Sequence, residues 1–166
     1  MSQPLSPREV FCELVYGVSD RRWDDLPRLY AERTHVEHPL APLGLPVLRT
    51  REQLRDHFRA GATQTEPGLR FSPDNIVIHQ TTDPDVIVAE FEYRGTVLDS
   101  GEPFAVPCVF VMRVRDGEIV CSRDYADHLS FARARGQLDE LVAALKQRSA
   151  TGGSTPPDPS LTTGSA

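Results

Sequence analysis

His57 and Asp124 are the side chains whose types and placement could do chemistry together. An imidazole and a carboxylate brought to one apolar pocket form a candidate acid/base pair, because burial disfavours the carboxylate charge and raises its pKa toward neutrality. Asp124 lies in the run Gly117 to Phe131, GEIVCSRDYADHLSF, entered through the turn Arg115-Asp116-Gly117-Glu118. Strand residues alternate faces, so if Val120 and Ser122 point into a cavity, Asp124 does too. His57 lies in the segment Thr50 to Ala62, where Thr50 and Gln53 stand at capping-box spacing and Leu54, His57 and Phe58 fall on one side. That puts His57 on the inward face of a helix. His38, before Pro39, is a third polar candidate at the end of a short strand.

The elements that must position these groups are legible along the chain. Ser6-Pro7-Arg8-Glu9 reads as an N-cap with Pro at the first helical position and Glu at the third, opening a helix whose buried stripe is Val10, Leu14, Val15 and Val18. A second helix is expected from about Trp23 to Glu32, then a strand from Thr34 to His38, an ordered loop through HPLAPLGLPVL, and the helix bearing His57. From Leu69 the periodicity turns to alternation: strands are expected at Leu69 to Gln80, Asp85 to Leu98, Phe104 to Arg115 and Glu118 to Ala126. The turns at Thr82-Asp83-Pro84-Asp85, Asp99-Ser100-Gly101 and Asp116-Gly117 make them an antiparallel meander. A final helix is expected from about Gln137 to Arg148. Helices followed by long strands give an α+β fold, with three N-terminal helices over one face of a strongly bent, mixed or antiparallel sheet. In the strand Val86 to Gly95, Ala89, Phe91 and Tyr93 share the cavity side, and Glu90, Glu92 and Arg94 the other. Val77, Cys108, Phe110 and Met112 are expected opposite the cavity, an apolar set suited to a homodimer interface.

Composition bounds the function classes. At 166 residues with 39% hydrophobic content the chain builds one core, and its net charge of −6 with no basic face argues against nucleic acid. Cys12, Cys108 and Cys121 lie in apolar segments without CxxC spacing, as free thiols of a reducing compartment do. No secretory leader and no run of about eighteen apolar residues is present, so a cytoplasmic location without membrane contact is expected. His35-Glu37 and Asp124-Asp127-His128 contain ligand types at no spacing that demands a metal, and no cofactor motif is seen. Residues 149–166 hold only Asp158 and Leu161 outside Ser, Thr, Gly, Pro and Ala, which reads as a disordered tail after a single domain over 1–148.

The element order, the helix motif GVSDRRWDDLPRLYAERTHVEHPL and the ending FVMRVRDGEIVCSRDYADHL resemble the nuclear transport factor 2-like superfamily, in its SnoaL-like branch of small cone-shaped proteins. The resemblance spans roughly residues 7 to 135 and implies the cystatin-like α+β barrel. Ketosteroid isomerase places a catalytic carboxylate just before the Pro of a motif resembling Val36-Glu37-His38-Pro39, where this chain has His38, and its oxyanion-hole residues align with Leu14 and Val109. Limonene epoxide hydrolase carries an Arg-x-Asp pair that aligns with Phe91 and Tyr93, while its closing Asp matches Asp124. The PhzA/PhzB phenazine-biosynthesis group is similar around Gln53-Leu54-Arg55-Asp56-His57, Thr82-Asp83-Pro84 and Arg123-Asp124. This resemblance implies His57 and Asp124 as acid and base, with Asp in place of Glu. SnoaL-type polyketide cyclases use an acidic residue at the end of the sheet, which makes Asp127 a rival, since a bend at Tyr125 or Ala126 would reverse the parity. Trp23, Tyr30, Phe58, Phe91, Tyr93, Val109 and Tyr125 are the expected pocket walls. The implied activity is cofactor-independent isomerisation, cyclisation or condensation of a small apolar carbonyl compound of specialised metabolism. The alternatives are a non-catalytic carrier and an epoxide hydrolase-like enzyme.

Overall fold

The computed structural model of the chain describes residues 3–65 and 68–150. Helix α1 (Pro7–Ser19) starts on the capping box expected: Ser6 Oγ accepts from Glu9 N, and the Glu9 carboxylate accepts from Ser6 N. A 3-10 turn (Leu26–Leu29) follows, then strands β1 (Arg33–Glu37) and β2 (Leu48–Thr50), helix α2 (Arg51–Thr65), and strands β3 (Leu69–Gln80), β4 (Val86–Val97), β5 (Pro103–Arg115) and β6 (Glu118–Ala126). Helices α3 (His128–Ala134) and α4 (Leu138–Ala150) complete the described chain. The six strands form one open sheet in the order β2-β1-β6-β5-β4-β3, antiparallel throughout except where β1 runs parallel to β6. This is the expected α+β cone, with α1 packed against β3, β4 and β5, the 3-10 turn against α1 and β6, and α2 against the 3-10 turn and β2.

Four details depart from the sequence expectations, each for a local physical reason. The second helix shrinks to the four residues Leu26–Leu29, because Pro27 has no N–H to donate and disfavours helical geometry at the residue before it. Its apolar residues are still used, with Leu26, Leu29 and Tyr30 all buried. The loop read through HPLAPLGLPVL ends in the short strand β2, and α3 forms after Asp127 where no helix was expected. The final helix extends to Ala150, two residues past its expected end, and residues 151–166, most of the expected tail, lie outside the described residues.

The largest correction concerns β5. Cys108, Phe110 and Met112 do not face away from the cavity: they are buried in the core, opposite Phe91, Ala89 and Ile87 of β4. Directly paired antiparallel residues share a face, so the inward set of β4 fixes the inward set of β5. The outer face instead carries exposed Val77 with half-buried Val88, Val109, Val111 and Tyr125. Val109 and Tyr125, expected as pocket walls, pair with each other on this outer face and line no cavity beneath the helices.

The core is apolar and aromatic. Phe11 of α1 meets Phe91 and Phe110 edge-on, with ring centroids 5.3 and 6.3 Å apart, and Phe71, Tyr93 and Phe131 form a second aromatic group toward α3. Edge-to-face pairs of this kind add to the area burial of each ring.

Candidate active site

The turn entering β6 is built as its sequence indicates, with Asp116 and Gly117 both at positive φ, the geometry of a two-residue hairpin. From that turn the register would place Asp124 opposite Val109, on the outer face. It does not stay in step, because the register shifts between Arg113 and Val114, leaving Val120 as the extra residue of a bulge. Ile119 therefore points inward opposite Val114, Val120 leaves the face shared by Ser122 and Asp124, and Asp124 comes opposite Phe110. Val120 is the one residue of the expected inward trio that the bulge displaces.

Asp124 is 6% exposed. Its Oδ1 accepts a hydrogen bond from Ser122 Oγ. Burial pushes its pKa up to about 7, with the Ser122 hydrogen bond pulling the other way. Neither Arg123 nor Arg94 neutralises it: Arg94 is engaged with Asp74 and Glu92. Buried Tyr30 and Tyr93 stand close enough to feel the Asp124 charge, although burial is the larger cause of their raised pKa values.

His38 reaches the same place by strand register. Val36 of β1 lies beside Ser122 of β6, and Thr34 and Val36 are buried, so His38 keeps their inward parity and comes beside Asp124. Its Nε2 is 4.0 Å from Asp124 Oδ2, beyond a direct hydrogen bond. Its Nδ1 is buried with no hydrogen-bond partner among the described residues. Burial, then the neighbouring His57 and His128, pull its pKa down to about 3, so the ring is neutral at physiological pH.

Helix α2 supplies His57. Gln53 N donates to Thr50 Oγ1 at the start of the helix, and Leu54 and Phe58 are buried on the inward side. The His57 ring stands 5.0 Å from that of His38 and 5.6 Å from that of Phe58, and burial lowers its pKa. Helix α3 contributes His128, with its ring 6.4 Å from His38 and its Nε2 unpartnered among the described residues. Three imidazoles thus cluster beside one buried carboxylate, His38 next to it and His57 and His128 around His38. Among the described residues, no three metal-ligating side chains are arranged to hold an ion.

Asp127 has a different setting. It is the N-cap of α3, and its carboxylate accepts from Ser130 N at 3.0 Å and from Ser130 Oγ at 2.5 Å. These bonds hold its pKa below the usual carboxylate value. Of the expected walls, Tyr30, Phe58, Phe91 and Tyr93 are buried in the core around the site, while Trp23 packs at its edge. Two residues take a part in the site that the sequence reading does not give them: Ser122, whose hydroxyl holds Asp124, and His128, which reads there only as a metal-ligand type. For His128 the signal was Asp127-x-x-Ser130, a helix N-cap that would have turned the next residue toward the sheet.

Residues 12–122 match the model of the SnoaL-like domain. The chain belongs to the SnoaL-like family. The match ends two residues before Asp124, so membership by itself assigns that residue nothing. An uncharacterized PhzA/B-like protein of Pseudomonas aeruginosa is 30% identical over 127 residues, 76% of this chain and 85% of that protein. Among solved structures, a candidate isomerase from Bacillus subtilis is similar with a TM-score of 0.67 at 23% identity, covering 78% of this chain and 92% of that one. A phenazine biosynthesis-related protein of Pseudomonas aeruginosa gives 0.56 at 19%, covering 78% and 84%. At these identities the structural likenesses establish the fold. None of the described helices is long and apolar enough to cross a membrane.

Proposed function

We propose that this protein is a cofactor-independent acid/base enzyme that isomerises, cyclises or condenses a small apolar carbonyl compound of specialised metabolism. The observation that carries the reading is Asp124: a carboxylate without a counter-ion, buried among apolar side chains and poised at a pKa of about 7. Such a group takes a proton from carbon and returns it with nearly equal ease at neutral pH. Ser122 occupies Oδ1, which leaves Oδ2, the oxygen toward His38, as the reactive one. Oδ2 and His38 Nε2 are 4.0 Å apart, close enough for both to reach one substrate from the same side.

In this mechanism ionised Asp124 removes a proton from the carbon next to the carbonyl. The enolate oxygen is held by an N–H of His57 or His38, both kept neutral by burial. The carboxylic acid then returns the proton to a different carbon, or the enolate closes a ring or attacks a second carbonyl. An epoxide hydrolase-like reaction is less well supported, because Phe91 and Tyr93, where that chemistry would place its Arg-x-Asp pair, are instead part of the aromatic core.

The test is exchange at carbon. A panel of small ring ketones incubated with the protein in D2O, followed by proton NMR, is expected to lose α-hydrogens faster than in buffer for at least one member. Saturable ketone binding with no acceleration across the panel would favour the carrier reading. In His57→Gln the accelerated rate is expected to fall by about a hundredfold, the usual contribution of one general acid or oxyanion donor. An unchanged rate in a folded His57→Gln protein would remove His57 from the mechanism.

The reading extends to assembly. The outer sheet face, with Val77 50% exposed beside Val109, Val111 and Tyr125, suits a homodimer joined sheet to sheet. Light scattering at micromolar concentration is expected to give twice the 18.5 kDa chain mass, and a purely monomeric signal contradicts it.

A further inference from the structure

A second feature lies at the other end of α3. Between that helix and the turn joining β4 to β5 is a cleft of about 360 Å3, lined by Glu102, Phe104, Ser130, Arg133 and Arg135 among others. Arg135 ends α3 with its guanidinium over the Phe131 ring, 5.0 Å from the centroid. Its Nε is buried and has no hydrogen-bond partner among the described residues, and no carboxylate there forms an ion pair with Arg133 or Arg135. The nearby Asp127 is committed to Ser130. A half-buried guanidinium without an anion is costly, and its planar fork of donors fits a carboxylate or a phosphate in bidentate fashion. Among the side chains lining the cleft, two arginines against Glu102 leave a single positive charge, which one carboxylate balances and a phosphate dianion exceeds.

Helix α3 links this cleft to the acid/base site. His128 and Arg135 are seven residues apart, two helical turns, so they share a face and stand about 10 Å apart along the axis. Phe131 lies between them, with its ring 6.1 Å from Tyr93, and Tyr93 feels the Asp124 charge. An apolar body lying along Phe131 would join the two ends.

We propose that this cleft is a carboxylate-binding subsite: Arg135 receives an acid group carried by the substrate, about two helical turns along α3 from His128. Calling the ligand the substrate rests on the acid/base reading above; the carboxylate preference itself does not. The substrate class is then an apolar keto acid.

The probes are 2-naphthoate and its neutral analogue 2-naphthamide, titrated calorimetrically into the full chain at low and at high ionic strength. The acid is expected to bind about tenfold or more tightly than the amide, with the gap narrowing as salt rises. Arg135→Met is expected to erase that preference, and Arg135→Lys, which keeps the charge but loses Nε and the fork, to reduce it several-fold. In Asp124→Asn the preference is expected to persist, so failure of proton transfer and failure of this subsite are read separately. Equal affinity for acid and amide in the native protein, or no saturable binding of the acid, overturns the proposal. So does a full acid preference in Arg135→Met or, should that variant fail to fold, in Arg135→Lys.

Discussion

Asp124→Asn is expected to reduce α-hydrogen exchange by about a thousandfold or more while making the protein harder to melt above pH 7. Both effects come from the same buried carboxylate. Its pKa is about 7 in the folded chain, against roughly 4 in the unfolded one. Between those values the native state holds a proton that the unfolded state has released. The stability this group contributes is therefore full below about pH 4 and is lost as pH rises through about 7. At pH 8 the buried charge opposes folding by up to about 4 kcal/mol, a burden that Asn, with the same shape and the same acceptor for Ser122 Oγ, does not carry. The variant is expected to melt about 5 °C or more above the parent at pH 8, with the advantage shrinking as pH falls and gone only below about pH 4. His38 and His57 titrate in the opposite sense: their pKa values are depressed, so their contribution is full above about pH 6.5 and falls as pH drops. Being common to both proteins, it cancels in the comparison. Asp127→Asn serves as the control, expected to keep the exchange rate and to lose about 1 kcal/mol or less, since Asn also caps helices. A lethal Asp127→Asn with an active Asp124→Asn would move the acid/base to the cap position.

The second large effect falls on folding. A Cβ added to Gly95 would lie 1.9 Å from Arg70 O and 2.7 Å from Phe71 Cα, both backbone atoms of β3 that cannot rotate away. Gly95 pairs with Phe71 across β3 and with Phe104 across β5, so its close approach sets the crowded end of the sheet. Gly95→Ala is expected to lower stability by about 3 kcal/mol or more, read as a shift in the urea midpoint with little change in slope. Gly17 makes the useful contrast. Its added Cβ would meet the Leu26 side chain at 2.5 Å, a group that can move, and Gly17→Ala is expected to be the milder change. A Gly95→Ala protein that unfolds at the parent midpoint would show that β3 yields more easily than the geometry allows.

Much of this architecture was legible because local chemistry and global fold agree. The capping box at Ser6, the Thr50 cap of α2, the positive-φ turn at Asp116-Gly117 and the alternation of β4 each follow from a few adjacent residues. What was not legible depends on pairing between distant residues. Strand β5 is apolar at almost every position, so alternation says nothing about its faces; only the register with Phe91 turns Cys108 and Phe110 inward. Counting back from the Asp99-Ser100-Gly101 turn would have supplied that register. The bulge at Val120 has no such signature, yet it is what brings Asp124 inward together with Ile119. His38 could be named but not placed, because its partner strand is β6, far along the chain and parallel. The convergence of His38, His57 and His128 on Asp124 is therefore a property of topology, which spacing alone does not reveal.

The measurement that bears most directly on the central claim is the titration of Asp124 itself, followed through its carboxyl carbon by NMR in the native protein and assigned by the signal missing from Asp124→Asn. A midpoint near 7 is the result expected of a buried carboxylate held only by Ser122 and poised to exchange protons at neutral pH. A midpoint near 4, the value of an ordinary solvated aspartate, would contradict the acid/base account.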